Sequence, residues 1–90
     1  MFSELLEGEI MLELGAKIKA LRKSHKYTQQ QMGDLVGVTR QHIIDVEAGR
    51  GTSLLIFIKL LKEFRKTDKL LENLEAITIS PKEIFLKSKK

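Results

Sequence analysis

Ninety residues with 16 Lys and Arg, 12 Asp and Glu, one Pro and neither Cys nor Trp make one small domain. The lack of Cys excludes a disulfide framework, a thiolate zinc site and a cysteine nucleophile, and no apolar run reaches the roughly 18 residues that cross a bilayer. With 42% apolar and 31% charged residues, the composition is that of a folded rather than a disordered chain. The net charge of +4 conceals a division: residues 1–16 hold four Glu and no Lys or Arg, and the remainder carries all 16 basic residues. A basic body of this kind suits nucleic acid or acidic partners. The acidic start is the reverse of a secretory leader, so the expected location is the cytoplasm, with the nucleoid, and no membrane association is expected.

The elements read as helices almost throughout. Leu5, Leu6, Ile10, Met11 and Leu14 recur at helical spacing and predict a short helix over residues 3–13, with Gly8 and Gly15 as its limits. Leu14, Ile18 and Leu21 form the apolar stripe of the next helix, whose other face carries Lys17, Lys19, Arg22, Lys23 and Lys26. Thr28-Gln29-Gln30-Gln31 has capping-box form and opens a helix with Met32, Leu35 and Val36 inward, ended by Gly37. Thr39 is the next N-cap, ahead of a helix that faces Ile43 and Val46 inward. Ala48-Gly49-Arg50-Gly51 reads as a loop. Thr52 or Ser53 caps a strongly apolar helix running to about Lys66, and Thr67 or Asp68 caps a shorter one through Leu70, Leu71 and Leu74. Residues 76–80 alternate and suit an extended segment, Ser80-Pro81-Lys82-Glu83 is another capping signature, and residues 87–90 form a basic tail. The expected organisation is an acidic leader over 1–13, a core domain over 14–66 and a C-terminal helix with its tail over 67–90.

One spacing carries most of the information. Counting from Gln29, a small residue, Gly33, follows four positions later, Gly37 eight, Ile43 fourteen and Val46 seventeen. Gly33 must be small where the second helix crosses, Gly37 must turn the chain with positive φ, and Ile43 and Val46 lock the second helix onto the first. This is the pattern of a helix-turn-helix, whose second helix enters a DNA major groove.

Residues 14–61 resemble the Cro and phage-repressor type of helix-turn-helix, the Xre family. The matching residues are Leu14-Gly15, Ile18, Arg22, Thr28-Gln29, Met32, Gly37-Val38-Thr39, Ile43, Val46-Glu47 and Gly49. The resemblance implies an all-α bundle of four or five helices of the lambda-repressor-like DNA-binding type. It implies a structural salt bridge between Arg22 and Glu47, a pairing that suits a planar guanidinium and a carboxylate. It also implies phosphate contacts from Gln29 and Thr39, and from Arg50, Thr52 and Ser53 beyond the recognition helix. Base-reading positions fall on Arg40, Gln41, Ile44 and Asp45, where Arg suits guanine, Gln suits adenine and Ile suits a thymine methyl. Asp45 has three open readings: accepting from cytosine, orienting Arg40 or facing solvent. Many relatives carry a Pro after the recognition helix, where this chain has Gly51-Thr52.

The expected function is a sequence-specific, double-stranded-DNA-binding regulator, a repressor that occupies a palindromic operator as a homodimer. Leu70, Leu71 and Leu74 are the first candidates for the dimer interface. The alternative is an antitoxin-type module that binds a toxin or other regulatory protein and controls its own operon. His25 and His42 lack metal-ligand spacing and the Glu residues of the leader lack a partner base, so no metal, no cofactor and no enzymatic activity are expected.

Overall fold

The computed structural model describes residues 6–77, with side chains through residue 74. It contains α1 (Glu7–Ser24), α2 (Gln29–Val36), α3 (Arg40–Glu47), α4 (Leu54–Glu63) and α5 (Thr67–Ile77), and no strand among these residues. The all-α class and the five-helix bundle are those expected from the sequence. The capping signature at Ser80-Pro81-Lys82-Glu83 and the basic tail lie outside the described residues. Of the segment 76–80, Ala76 and Ile77 belong to α5 rather than to an extended stretch.

α1 runs unbroken through Gly8 and Gly15, which the periodicity suggests as limits. Its first turn holds Glu7 and Glu9 and its last turn Arg22 and Lys23, each sign matching the helix dipole. Glu9 Oε1 also accepts from the Leu6 backbone N–H at 3.1 Å, which satisfies one of the free amides at the helix start. Gly15 is retained for a tertiary reason. A Cβ there would lie 2.6 Å from the Val46 carbonyl oxygen and 2.7 Å from that of Glu47. The C-terminal end of α3 therefore rests directly on the α1 backbone.

The α2–α3 unit is built by local chemistry. Thr28 Oγ1 accepts from Gln31 N at 3.0 Å while Gln31 Oε1 accepts from Thr28 N at 2.8 Å, a reciprocal capping box. Gly37 adopts φ 81°, and the Gly33 carbonyl accepts from the amides of both Gly37 and Val38, at 2.8 and 2.9 Å. What presses on Gly33 is this turn rather than a crossing helix: a Cβ would stand 2.6 Å from the Val38 oxygen. Thr39 Oγ1 then caps α3 by accepting from His42 N at 3.1 Å. Ser53, rather than Thr52, caps α4, accepting from Ile56 N at 3.1 Å. Thr67 does not cap α5; it lies in the first turn, with its hydroxyl buried and unpaired among the described residues.

Ile18, Met32, Val36, Ile43, Val46, Leu60 and Phe64 form the core, with Leu21, Tyr27, Val38, Ile56 and Phe57 packed on its edge. Leu60 and Leu61 of α4 face inward, with Phe64 just past its end, while Leu54, Leu55 and Ile58 lie exposed. His25 stacks on Phe64 with ring centroids 5.2 Å apart, closing the core beside the α1–α2 corner.

The two glycines of α1 make opposite demands. Gly15→Ala must displace the α3 carbonyls and is expected to lower stability by about 1–3 kcal/mol. Gly8→Ala meets nothing within 4 Å and is expected to raise it by about 0.5–1 kcal/mol, through helix propensity alone. Urea unfolding of the two variants measures both signs, and equal effects would remove the close α1–α3 approach as the reason for Gly15.

Candidate nucleic-acid interface

α3 presents two faces. Ile43 and Val46 are buried against the core. On the outward side Arg40 and Gln41 are exposed, and Ile44 and Asp45 are half-buried. These four fall on one side of the helix, as spacings of one, four and five residues require. Among the described residues no carboxylate pairs with Arg40, so its guanidinium projects from the first turn of α3 with its donors available.

Behind this face lies a buried ionic junction. Arg22 Nε donates to Glu47 Oε2 at 2.6 Å and Arg22 Nη2 donates to Glu47 Oε1 at 3.1 Å, a two-pronged pair. Arg22 Nη1 donates to the Tyr27 carbonyl at 2.9 Å, and Gln29 Nε2 donates to Glu47 Oε1 at 3.2 Å. The charged side chains are only 9% and 4% exposed. One junction therefore joins the C-terminal end of α1, the α1–α2 corner, the first residue of α2 and the last residue of α3. Removing either charge would leave the other buried and unpaired, which is far costlier than losing a surface ion pair.

Several of the residues expected to touch phosphate have structural duties. Thr39 and Ser53 use a hydroxyl oxygen as acceptor in their helix caps, which leaves each O–H free to donate. Thr52 Oγ1 is 2.7 Å from His42 Nε2, a bond that ties the loop after α3 back to that helix. Gln29 stands at the start of α2 with its amide turned to Glu47. Arg50 Nη1 donates to Asp45 Oδ1 at 2.7 Å, and Gln41 Nε2 donates to the same oxygen at 3.0 Å. Those two hydrogen bonds, first that of Gln41 and then that of Arg50, hold the Asp45 carboxyl below its ordinary pKa, so it stays charged. Among the readings of Asp45 weighed on sequence, its partners here are Gln41 and Arg50 rather than Arg40. The four-residue spacing of Gln41 and Asp45 is the signal that could have revealed the first of these bonds. The second needs the turn at Ala48 and Gly49, which brings the chain back over α3.

Of the proposed interface leucines, Leu71 and Leu74 are 51% and 57% exposed and Leu70 is half-buried. No group of three or more His, Cys, Asp or Glu residues among the described residues is arranged to hold a metal ion, and no helix there is long and apolar enough to cross a membrane.

The sequence is similar to known proteins. A family model described as helix-turn-helix matches residues 18–71, from the second half of α1 into α5. YgzD of Bacillus subtilis (strain 168), an uncharacterized HTH-type transcriptional regulator, is 43% identical over 49 residues, covering 53% of this chain and 74% of the relative. The matched span contains the Arg22–Glu47 junction, the Gly37 turn and the outward face of α3. The chain belongs to the helix-turn-helix family of DNA-binding transcriptional regulators, of the Cro and phage-repressor type.

Proposed function

We propose that this chain is a sequence-specific repressor that binds double-stranded DNA as a homodimer, with α3 in the major groove. The observation that carries this reading is the outward face of α3. Arg40, Gln41, Ile44 and Asp45 stand together on a helix whose opposite side is fixed by the core and by the Arg22–Glu47 pair. Arg offers paired donors to guanine, Gln a donor and an acceptor to adenine, and Ile an apolar surface to a thymine methyl. Gln29, Thr39, Arg50, Thr52 and Ser53 lie at helix starts and in the loop after α3, where hydroxyls, an amide and a guanidinium suit phosphate contacts. Repression is then steric, by occupation of a promoter site.

Selection of bound duplexes from a random pool tests sequence reading. A defined motif is expected, and the double variant Arg40→Ala, Gln41→Ala should lose about 10–100-fold of discrimination at each base pair that it read. Its melting temperature and its weak binding to unrelated DNA should remain. Unchanged discrimination in the folded double variant would refute the assignment of α3 as the reading element.

One recognition helix spans only a few base pairs, so tight binding calls for two half-sites about one helical turn apart. The exposed Leu71 and Leu74 of α5, beside the half-buried Leu70, supply the apolar surface for the second copy. Light scattering of Leu71→Glu, Leu74→Glu should give the mass of one chain where the unaltered protein gives two, with helicity retained and operator affinity lost. A dimer that persists in the double variant would rule out this surface.

A further inference from the structure

The hydrogen-bond network on the outward face of α3 has a consequence for base choice. Asp45 Oδ1 accepts from Gln41 Nε2 at 3.0 Å and from Arg50 Nη1 at 2.7 Å. The Arg50 backbone N–H also donates to the Asp45 carbonyl at 3.0 Å, so the guanidinium is held over the carboxylate from a fixed point on the main chain. An ionised carboxylate is an acceptor only, and an amide turned toward it must present nitrogen. Chemistry therefore fixes the orientation of the Gln41 amide: Nε2 toward Asp45, Oε1 away.

That orientation changes what Gln41 can read. A free Gln amide has two N–H donors on one atom and an acceptor on the other. It can satisfy guanine with both donors, to N7 and O6, or adenine with one donor to N7 and its oxygen accepting from N6. Asp45 occupies one of the two protons. One donor and one acceptor remain, which matches adenine. Guanine would require breaking the bond to Asp45 and leaving a charged carboxylate beside DNA with one partner fewer, at a surface already crowded with phosphate charge.

We propose that Asp45 is a specificity-determining positioning residue, which restricts Gln41 to adenine by holding one of its amide protons, while Arg50 holds Asp45 in place. The inference rests on the DNA-reading function proposed above. It gives the only acidic side chain on the outward face of α3 a role other than direct contact with cytosine.

The test uses the full chain and the duplex it selects. The base pair read by Gln41 is the one whose preference Gln41→Ala erases. At that pair the unaltered protein should prefer adenine to guanine by about tenfold or more, the size of a good two-bond contact. Asp45→Ala should reduce that preference to about twofold or less, because the freed amide can then present both protons to guanine. Asp45→Asn, whose Oδ1 still accepts the Gln41 proton, should keep the adenine preference while removing the charge. Thermal unfolding of both variants shows that each is folded. A preference for guanine in the unaltered protein, an adenine preference that survives Asp45→Ala, or a Gln41→Ala variant that loses no preference would each overturn the inference while leaving the DNA-binding function standing. Loss of a cytosine preference at another pair in Asp45→Ala, with adenine retained, would show that Asp45 reads a base itself. Loss of the adenine preference in folded Asp45→Asn as well would assign the effect to charge and overturn the hydrogen-bond account. Failure of the unaltered protein to select any sequence would overturn both the function and the inference.

Discussion

Arg22 and Glu47 are 25 residues apart in sequence and meet in a two-pronged ion pair that is almost sealed from water. Each charge would be prohibitive alone, and each is admitted only because the geometry is complete. All three guanidinium nitrogens have an acceptor, and both carboxylate oxygens have a donor. The extra bonds matter as much as the pair. Tyr27 lends its carbonyl and Gln29 its amide, so α1, the corner after it, α2 and α3 are registered against one another at a single point. An apolar junction of equal volume could be equally stable, yet it would not demand this one arrangement of four segments.

The rest of the structure extends that registration to the surface. Gly15 lets the last carbonyls of α3 settle on α1, and Gly33 lets the turn before α3 fold against α2. Both ends of α3 are thereby held by backbone contacts, while Ile43 and Val46 anchor its inward side. The outward residues inherit a fixed position from these inward ones. Order continues on the surface itself, where Asp45 takes bonds from Gln41 and Arg50 rather than leaving three polar side chains free to rotate. Fixing side chains before DNA arrives reduces the entropy lost on binding.

Much of this was legible in the sequence, because caps and turns are local. Thr28 with Gln31, Gly37 and Thr39 set the ends of α2 and α3 within a few residues of themselves, and the spacing from Gln29 to Val46 sufficed to recognise the motif. Features that depend on partners distant in the chain were less legible. Gly8 and Gly15 read as breaks because glycine weakens a helix locally, whereas contact with α3 turns Gly15 into a requirement. Apolar content marked α4 as strongly apolar but could not say that Leu60, and Phe64 just past its end, face inward while Leu54 and Leu55 face solvent. Gln29 is turned to Glu47 across 18 residues, and Arg50 reaches Asp45 only after the chain reverses at Gly49.

The dependence of the bundle on its buried pair is open to direct measurement by a double-mutant cycle with Arg22→Met, Glu47→Leu and the two together, followed by urea unfolding. Each single variant strands a buried charge and should lose about 3–5 kcal/mol, whereas the double variant strands none. The double variant is expected to lose less than the sum of the two by at least about 2 kcal/mol. Losses that add to within about 0.5 kcal/mol would mean that the two residues act independently and that their pairing does not register α3.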